Sequence, residues 1–195
     1  MTGGTSASDS RRPLTAAAVM ITVGALLSAC SDDPPTPPTP TPSATTRSPT
    51  PSATPPTAPE AKPTAASAEA FVRYFWDVYN YSYQYQDVTD LMAISRPACK
   101  FCKSAISDVQ RLKAEGTRIE GAQVILNTAG IPPGKITNGV IAASVISQDE
   151  GRSIAKDGSV KSLQAVGKRR SYVGLDWEDN AWFINGVTVG KPGSA

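Results

Sequence analysis

A proline-rich segment divides this chain of 195 residues and limits where a compact domain can form. Residues 31–65 hold 12 of the 17 prolines, together with nine threonines and four serines. Proline fixes φ and removes a backbone donor, and the segment has no hydrophobic period with which to build a core. We therefore expect a disordered Pro/Thr/Ser-rich linker over residues 30–65, with a reach of roughly 110 Å when extended as polyproline II. One globular domain is expected to follow, over residues 66–195.

The first thirty residues have the pattern of an export signal. Arg11 and Arg12 precede an uncharged apolar stretch over residues 14–27. This stretch is shorter than the roughly 20 residues that cross a bilayer, so we predict a signal peptide over residues 1–29 and not a permanent membrane span. The arginine pair is compatible with a twin-arginine route as well as with general secretion.

The apolar stretch ends in Leu27-Ser28-Ala29-Cys30, which resembles the lipobox of bacterial lipoproteins. The resemblance implies cleavage before Cys30 and lipidation of its sulfur with a diacylglyceryl group. Two acyl chains anchor a protein firmly, whereas one is marginal. The expected location is the extracytoplasmic face of the cell membrane, with the linker as a stalk. The alternative is an ordinary signal peptide followed by a chance cysteine.

Hydrophobic periodicity predicts three helices at the start of the domain. Ser67 is expected to cap the first helix, and Asp87 or Thr89 the second. The third helix is expected to run from residue 97 or 98 to residue 114, with Gly116 ending it. The face of the first helix is marked by apolar and aromatic residues at helical spacing: Phe71, Tyr74, Phe75, Val78 and Tyr79.

After the third helix the pattern changes to the period of a β-strand. Residues 119–126, 140–147 and 168–177 are predicted strands, and Lys156-Asp157-Gly158-Ser159 predicts a hairpin turn. A turn at residues 178–180 leads into a last strand with Trp182. Helices followed by antiparallel strands predict an α+β fold, with three N-terminal helices packed on one face of a curved antiparallel sheet of about four to five strands.

This order of elements resembles the cone-shaped nuclear transport factor 2-like (NTF2-like) superfamily. Residues 74–85 (YFWDVYNYSYQY), 95–104 (SRPACKFCKS) and 114–122 (AEGTRIEGA) are more narrowly similar to an actinobacterial lipoprotein family, domain of unknown function 6318. Gln86-Asp87 and Glu120-Gly121 depart from that family's pattern. The resemblance implies a fold and a location at the cell envelope, and it implies no activity, because one fold hosts many functions.

Composition excludes several classes of function. Histidine is absent, which removes Ser-His-Asp and Cys-His catalysis and the commonest metal ligand. No cofactor and no metal are expected. The net charge of +2 gives no electrostatic argument for binding nucleic acid. Within the last predicted strand pair, residues 168–170 are expected to form a solvated strand end. The alternative is contact with an anionic wall polymer or with lipid headgroups.

Cys99 and Cys102 are the two thiols that remain when Cys30 carries lipid. Their spacing of three residues in a helical turn fits a disulfide, which exported proteins form readily. We expect a structural bridge. The alternative is a dithiol redox site, because a helix N-terminus with Lys100 and Lys103 nearby would lower a thiol pKa.

Eight of the 13 aromatic residues fall between residues 71 and 85. Tyrosine combines an apolar body with a polar tip, which suits a pocket or an interface. In a cone-like fold the cavity lies between the first helices and the sheet, although a plain core with surface hydroxyls is the simpler alternative. The candidate pocket residues are Tyr74, Trp76, Tyr79, Tyr83 and Trp177.

These features favour a non-enzymatic binding or interaction module anchored at the membrane. Its expected partner is a small apolar ligand, a wall component or an envelope protein. The second hypothesis is a pocket enzyme of the isomerase or dehydratase kind, with tyrosine and aspartate as acid and base. That hypothesis requires Asp77 or Asp87 to point inward among the tyrosines. A dithiol redox protein is the third hypothesis.

Overall fold

The computed structural model describes residues 54–134 and 136–194. Within them, three helices precede the strands, which confirms the predicted α+β class. The helices are α1 (Ala65–Tyr85), α2 (Thr89–Ile94) and α3 (Lys100–Glu115). The strands are β1 (Arg118–Gly121), β2 (Val124–Gly130), β3 (Gly139–Gln148), β4 (Gly151–Ile154), β5 (Val160–Leu163), β6 (Val166–Glu178) and β7 (Ala181–Val189).

Helix α1 begins earlier than predicted, because Thr64 and not Ser67 is its N-cap. The Thr64 hydroxyl accepts a hydrogen bond from the Ser67 backbone N–H at 3.3 Å. The Ser67 hydroxyl instead donates to the carbonyl of Glu60 and accepts from the backbone N–H of Lys62, both at 3.0 Å. Residues 60–64 lie in the predicted linker, yet these bonds hold them against the start of α1.

In the part of the chain that the structure describes, seven strands form two antiparallel sheets, which corrects the prediction of a single sheet of four to five strands. One sheet has the order β2-β3-β6-β7 and the other has the order β1-β4-β5. The predicted strand over residues 119–126 is broken by positive φ at Gly121 (70°) and Ala122 (54°). A Cβ at Gly121 would lie 2.7 Å from the carbonyl oxygen of Glu150, so only glycine fits this close approach.

The two sheets meet at this break. The Ala122 N–H donates to the Glu150 carbonyl at 2.9 Å, and the Asp149 N–H donates to the Gln123 carbonyl at 3.0 Å. Strands β2 and β3 therefore continue through a bend into β1 and β4. Strand β4 then pairs with β5 across Asp157-Gly158, which confirms the predicted hairpin.

The core lies between the helices and one face of the four-stranded sheet. Its largest fully buried side chains come from α1, α2, α3 and the inner face of β3, β6 and β7. They include Trp76, Phe75, Leu91, Val109, Ile146, Leu175 and Ile184. The opposite face of the sheet is open, and Ile141 and Tyr172 are exposed on it. No helix within the described part of the chain has the length and hydropathy needed for a bilayer crossing.

Candidate functional site

A cavity of about 280 Å³ lies where α1 and α3 face the three-stranded sheet, and we call it the tyrosine cavity. Tyr79, Asn80, Tyr83 and Gln84 come from α1, and Asp108, Arg111 and Leu112 come from α3. The strand side and its bend contribute the remaining lining residues, which are Ile119, Gly121, Ala122, Gln123, Gln148, Ser153, Lys161 and Leu163. The bend at Gly121–Ala122 brings the two sheets together along this wall.

Tyr79 and Tyr83 are one helical turn apart on α1, so their rings lie side by side. Their centroids are 4.8 Å apart. The Tyr83 hydroxyl donates to Asp108 Oδ2 of α3 at 3.2 Å. Asp108 is also ion-paired with Arg111, whose guanidinium reaches Glu115 at 2.8 Å. The carboxylate in the cavity is therefore held by a hydroxyl on one side and by a cation on the other.

The environment keeps both tyrosines protonated. Burial raises the pKa of Tyr83, and the neighbouring Tyr79 and the Asp108 carboxylate raise it further. Burial also raises the pKa of Tyr79, whereas its hydrogen bond with Tyr83 and the positive charge of Arg169 act in the lowering direction. At neutral pH the cavity presents two phenol groups and no phenolate.

Amide side chains form one part of the polar wall, beside the charged and hydroxyl side chains of the lining. Asn80 donates to the Val124 carbonyl and accepts from the Val124 N–H, both at 2.8 Å, so it fixes the start of β2 against α1. Gln148 donates to the Ala122 carbonyl at 3.2 Å. Among the described residues, the side-chain amides of Gln84 and Gln123 have no hydrogen-bond partner. These two amides are free to bind a ligand.

The structure brings two of the five candidate pocket residues into this cavity, namely Tyr79 and Tyr83. Trp76 lies in the core with its ring centroid 5.5 Å from that of Tyr79. Tyr74 is buried beside Phe71. Trp177 packs edge-on against Trp182 at 4.9 Å, on the strand pair β6–β7. Tyr74, Trp76 and Trp177 therefore belong to the packing of the domain and not to the cavity lining.

The carboxylate beside the tyrosines is Asp108 and neither of the two that sequence reasoning proposed. Asp77 and Asp87 are both exposed, so neither points inward as the pocket-enzyme hypothesis requires. Hydrogen bonds from the Thr89 hydroxyl and backbone N–H lower the pKa of Asp87. The N-cap of α2 is Val88, without a side-chain cap bond, so the prediction of Asp87 or Thr89 as the cap was wrong. The sequence could have indicated that Asp108 points toward the interior, because it lies on α3 next to the buried stripe of Ala105, Val109 and Leu112.

Cys99 and Cys102 form a disulfide with their Cα atoms 5.3 Å apart. Both residues are almost completely buried, at 0% and 1% exposure. Cys99 is also the N-cap of α3, since its sulfur accepts from the Cys102 N–H at 3.2 Å. A buried sulfur is shielded from attack by an external thiolate, so this environment favours a structural bridge.

Arg169 does not lie on a solvated strand end, which corrects the expectation for residues 168–170. Lys168 and Arg170 are exposed, whereas Arg169 is half-buried and its Nε is inaccessible to solvent. The reason is strand alternation, which turns Arg169 toward the helices and its two neighbours toward water. In residues 54–134 and 136–194 no three acidic or cysteine side chains group as metal ligands. Cys30, the predicted lipidation site, lies outside the described residues.

Comparison with known proteins gives one family match. Residues 42–188 match the model described as Family of unknown function (DUF6318). No match is found among curated proteins. The intermembrane space region of the chloroplast protein ARC6 is similar at 9% identity and a TM-score of 0.48, covering 66% of this chain and 97% of that one. A protein of unknown function with a cystatin-like fold from Nostoc punctiforme is similar at 10% identity and a TM-score of 0.36, covering 65% and 91%.

Proposed function

This chain belongs to the family of unknown function DUF6318, and we propose that it is a lipid-anchored binding module that acts at the extracytoplasmic face of a bacterial cell membrane. Two sequence features support this location: the short apolar stretch at residues 14–27, and the lipobox-like sequence that ends in Cys30. A diacylglyceryl group on Cys30 would fasten the chain to the outer leaflet. The Pro/Thr-rich linker would then separate the domain from the membrane.

We further propose that the domain has the cone-shaped NTF2-like fold. Its support is the order of three helices before antiparallel strands. The bend at Gly121–Ala122, which wraps the strands around the helices, fits a strongly curved sheet. In such a fold a ligand site forms between the first helices and the bent strands, where the tyrosine cavity lies.

The tyrosine cavity is the single observation that carries the binding role. Its volume of about 280 Å³ lies near the lower end of ligand pockets, which span roughly 300–1,000 Å³. The neighbouring, mutually tilted rings of Tyr79 and Tyr83 offer apolar surface, and Gln84 and Gln123 offer amides with no partner among the described residues. A small molecule with an apolar or aromatic body and one or two polar groups matches this lining.

The two alternative functions have less support. A pocket enzyme would need a carboxylate free to move a proton, but Asp108 is held by Tyr83 and Arg111. The raised pKa of Tyr83 makes it a poor general base at neutral pH. A dithiol redox protein would need an accessible sulfur, and Cys99 and Cys102 are both buried.

The binding role is tested by capture of small molecules from detergent-solubilised envelope on the full chain, with mass spectrometry of what is retained. Wild type is compared with the Tyr79→Ala/Tyr83→Ala double variant. Tyr172→Ala is the matched control, because Tyr172 is exposed on the outer face of the sheet. We expect wild type and Tyr172→Ala to retain the same molecule and the double variant to lose it. Equal retention by a folded double variant would contradict the proposal, and so would a wild type that retains nothing.

A further inference from the structure

A groove of about 420 Å³ lies on the outer face of the four-stranded sheet, and we call it the sheet groove. Tyr172 lines it and is 46% exposed, whereas Ser171 and Val173 beside it in β6 are buried. The groove therefore opens on the side of the sheet that faces away from the core. Among the described residues none lines both the sheet groove and the tyrosine cavity, so the two are separate.

Strand pairing arranges the outward-facing residues of the sheet groove in two adjacent rows. One row runs across β2, β3 and β6 and consists of Thr128, Val145 and Arg170. The next row consists of Gly130, Ala143 and Tyr172. A guanidinium and a phenol ring thus lie two positions apart on β6, opposite small side chains on the neighbouring strands.

Gly130 keeps the sheet groove open. A Cβ at this position would meet no atom within 4 Å, so the packing of the chain does not require glycine here. The φ angle of Gly130 is not positive, so the backbone does not require glycine either. Glycine in a strand often marks a place that a ligand or another chain approaches closely.

The side chains of this face carry uncompensated positive charge. Lys168 and Arg170 are exposed on β6, and neither forms an ion pair with a described residue. Their Cα atoms are about 7 Å apart, because a strand rises by about 3.4 Å per residue. The acidic residues of β2, β3, β6 and β7 are Asp176 and Glu178, and both are ion-paired with Arg96.

Lys191 adds a third cation beside the first two. The chain beyond β7 runs along the start of β6, where the Gly190 N–H donates to the Arg170 carbonyl at 2.8 Å and the Gly193 N–H donates to the Lys168 carbonyl at 3.0 Å. Lys191 lies between these two bonds, is exposed, and has no ion-pair partner among the described residues. One end of the sheet groove is therefore bordered by cations that are free to bind an anionic partner.

We propose that the sheet groove binds an anionic polysaccharide. The acidic groups of the polymer pair with Arg170, Lys168 and Lys191, and the planar guanidinium can bind two oxygens at once. One sugar ring lies with its C–H face against the exposed ring of Tyr172. The Thr128 hydroxyl and the Arg170 guanidinium are within the same groove and bind the hydroxyl groups of that sugar.

A polysaccharide fits these residues better than an acidic protein segment does. The core of a protein interface is usually a contiguous apolar surface. The sheet groove instead combines one aromatic ring with hydroxyl, guanidinium and small side chains. A sugar ring offers C–H groups to an aromatic face and hydroxyl groups to the polar side chains around it. The source of the polymer rests on the proposed extracytoplasmic location, since polymers of the envelope would surround the domain there.

Biolayer interferometry of the full chain in detergent tests the proposal with three immobilised probes. They are polygalacturonate, its methyl ester, which is an uncharged polymer of the same backbone, and polyglutamate, an acidic peptide chain. We expect wild type to bind polygalacturonate at least about tenfold more tightly than either of the others, since the site uses both charge and a sugar ring.

Two variants locate the binding in the sheet groove. Gly130→Leu places a side chain in the open space of the groove, and we expect it to bind polygalacturonate at least about tenfold more weakly. Gly167→Leu is the matched control, because a Cβ there also meets no atom within 4 Å and Gly167 is not part of the groove. Lys168→Gln/Arg170→Gln is expected to lose the preference for the charged polymer. Lys100→Gln/Lys103→Gln removes the same charge from α3 and should keep the preference.

Several results would overturn the proposal. They include a wild type that does not bind polygalacturonate, or that binds its methyl ester equally well. Polyglutamate bound as tightly as polygalacturonate would replace the polysaccharide by an acidic protein partner. Unchanged binding by folded Gly130→Leu would place the polymer outside the sheet groove. The tyrosine cavity is unaffected by each of these results, because its ligand is tested separately by the capture of small molecules.

Discussion

At the scale of single residues, the properties of the cavity depend on Tyr83 and Asp108. The Tyr83 hydroxyl donates to Asp108, which is held in turn by Arg111. In this arrangement a half-buried phenol and a carboxylate satisfy each other's hydrogen-bonding capacity. It also keeps the Tyr83 proton in place, because ionisation would set a phenolate beside a carboxylate. A phenol whose proton is held in place supports the proposed binding role more than a role in proton transfer.

The same pair predicts how stability depends on pH in alkaline solution. An unfolded tyrosine releases its proton near pH 10, whereas the raised pKa of Tyr83 and Tyr79 keeps their protons in the folded state to higher pH. Their contribution to the free energy of unfolding is complete below pH 10 and is lost as pH rises above it. The expected loss is up to about 1.4 kcal/mol per pH unit for each tyrosine.

Urea denaturation between pH 9 and pH 11 measures this dependence. Tyr83→Phe removes one of the two groups, so we expect a shallower fall of stability with pH than in wild type. Tyr172→Phe removes an exposed tyrosine and should follow the wild-type curve. An unchanged slope in Tyr83→Phe would contradict the role given to its buried hydroxyl.

The sequence could predict some of the site residues and not others. Tyr79 and Tyr83 stand out because aromatic residues four apart share a helical face. Asp108 lies beside the buried stripe of α3, which indicates an inward position, but its pairing with Tyr83 of α1 could not be predicted. The burial of Arg169 could not be predicted either. Arg169 in particular looked like part of an exposed basic run, and only the pairing of β6 with β3 shows which side of the sheet it faces.

At the scale of elements, the disulfide determines how α3 begins. Pro97 precedes the helix, and Cys99 caps it with its own sulfur while bonded to Cys102. The bridge closes a loop of only four residues, so the chain-entropy model gives it about 2 kcal/mol. Its role is to fix the first turn of α3, the helix that carries Asp108, Arg111 and Leu112 to the cavity.

Replacing both cysteines tests this role. We expect Cys99→Ala/Cys102→Ala to fold and to lose about 2 kcal/mol in the free energy of unfolding. Urea denaturation at neutral pH gives the value, and Ser104→Ala, an exposed change in the same helix, should be nearly neutral. No measurable loss in the double variant would contradict a stabilising bridge.

The strands show where hydrophobic patterning stops being informative. The apolar residues Ile119 and 124–126 predict one strand over residues 119–126, yet the chain turns sharply at Gly121 and Ala122. A non-glycine residue with positive φ, such as Ala122, leaves no mark in a hydrophobic pattern. The positive φ of Ala122 goes with a tertiary contact, because the Glu150 carbonyl approaches Gly121 closely and accepts a hydrogen bond from the Ala122 N–H. The order of helices and strands, which sets the class of fold, was predictable from the hydrophobic pattern. The division of the strands into two sheets was not, because it depends on this tertiary contact.

At the scale of the whole molecule, we propose that one chain carries both a membrane anchor and a ligand-binding domain. The proposed location at the membrane depends on Cys30 and on the short apolar stretch before it. Residues 31–53, part of the predicted linker, separate that cysteine from the first described residue in the sequence. An anchored domain on a proline-rich stalk would meet its ligand near the membrane surface, within roughly 110 Å of it.

Metabolic labelling with palmitate tests the anchor. We expect label in the wild-type chain and its recovery in the membrane fraction, because the diacylglyceryl group is carried by Cys30. Cys30→Ser should be unlabelled and should leave that fraction. Cys99→Ala/Cys102→Ala is the matched control and should keep its label. An unlabelled wild-type chain would contradict the proposed location.

Hydrogen–deuterium exchange of the full chain tests the central claim, that the tyrosine cavity binds a small molecule, most directly. The chain is compared before and after addition of the small-molecule fraction of the envelope. If the cavity binds a ligand, we expect slower exchange in the second half of α1 and in α3 around Asp108. We expect no change on the exposed outer face of the four-stranded sheet around Ile141 and Tyr172. Unchanged exchange in α1 and α3, or protection confined to the outer face, would contradict it.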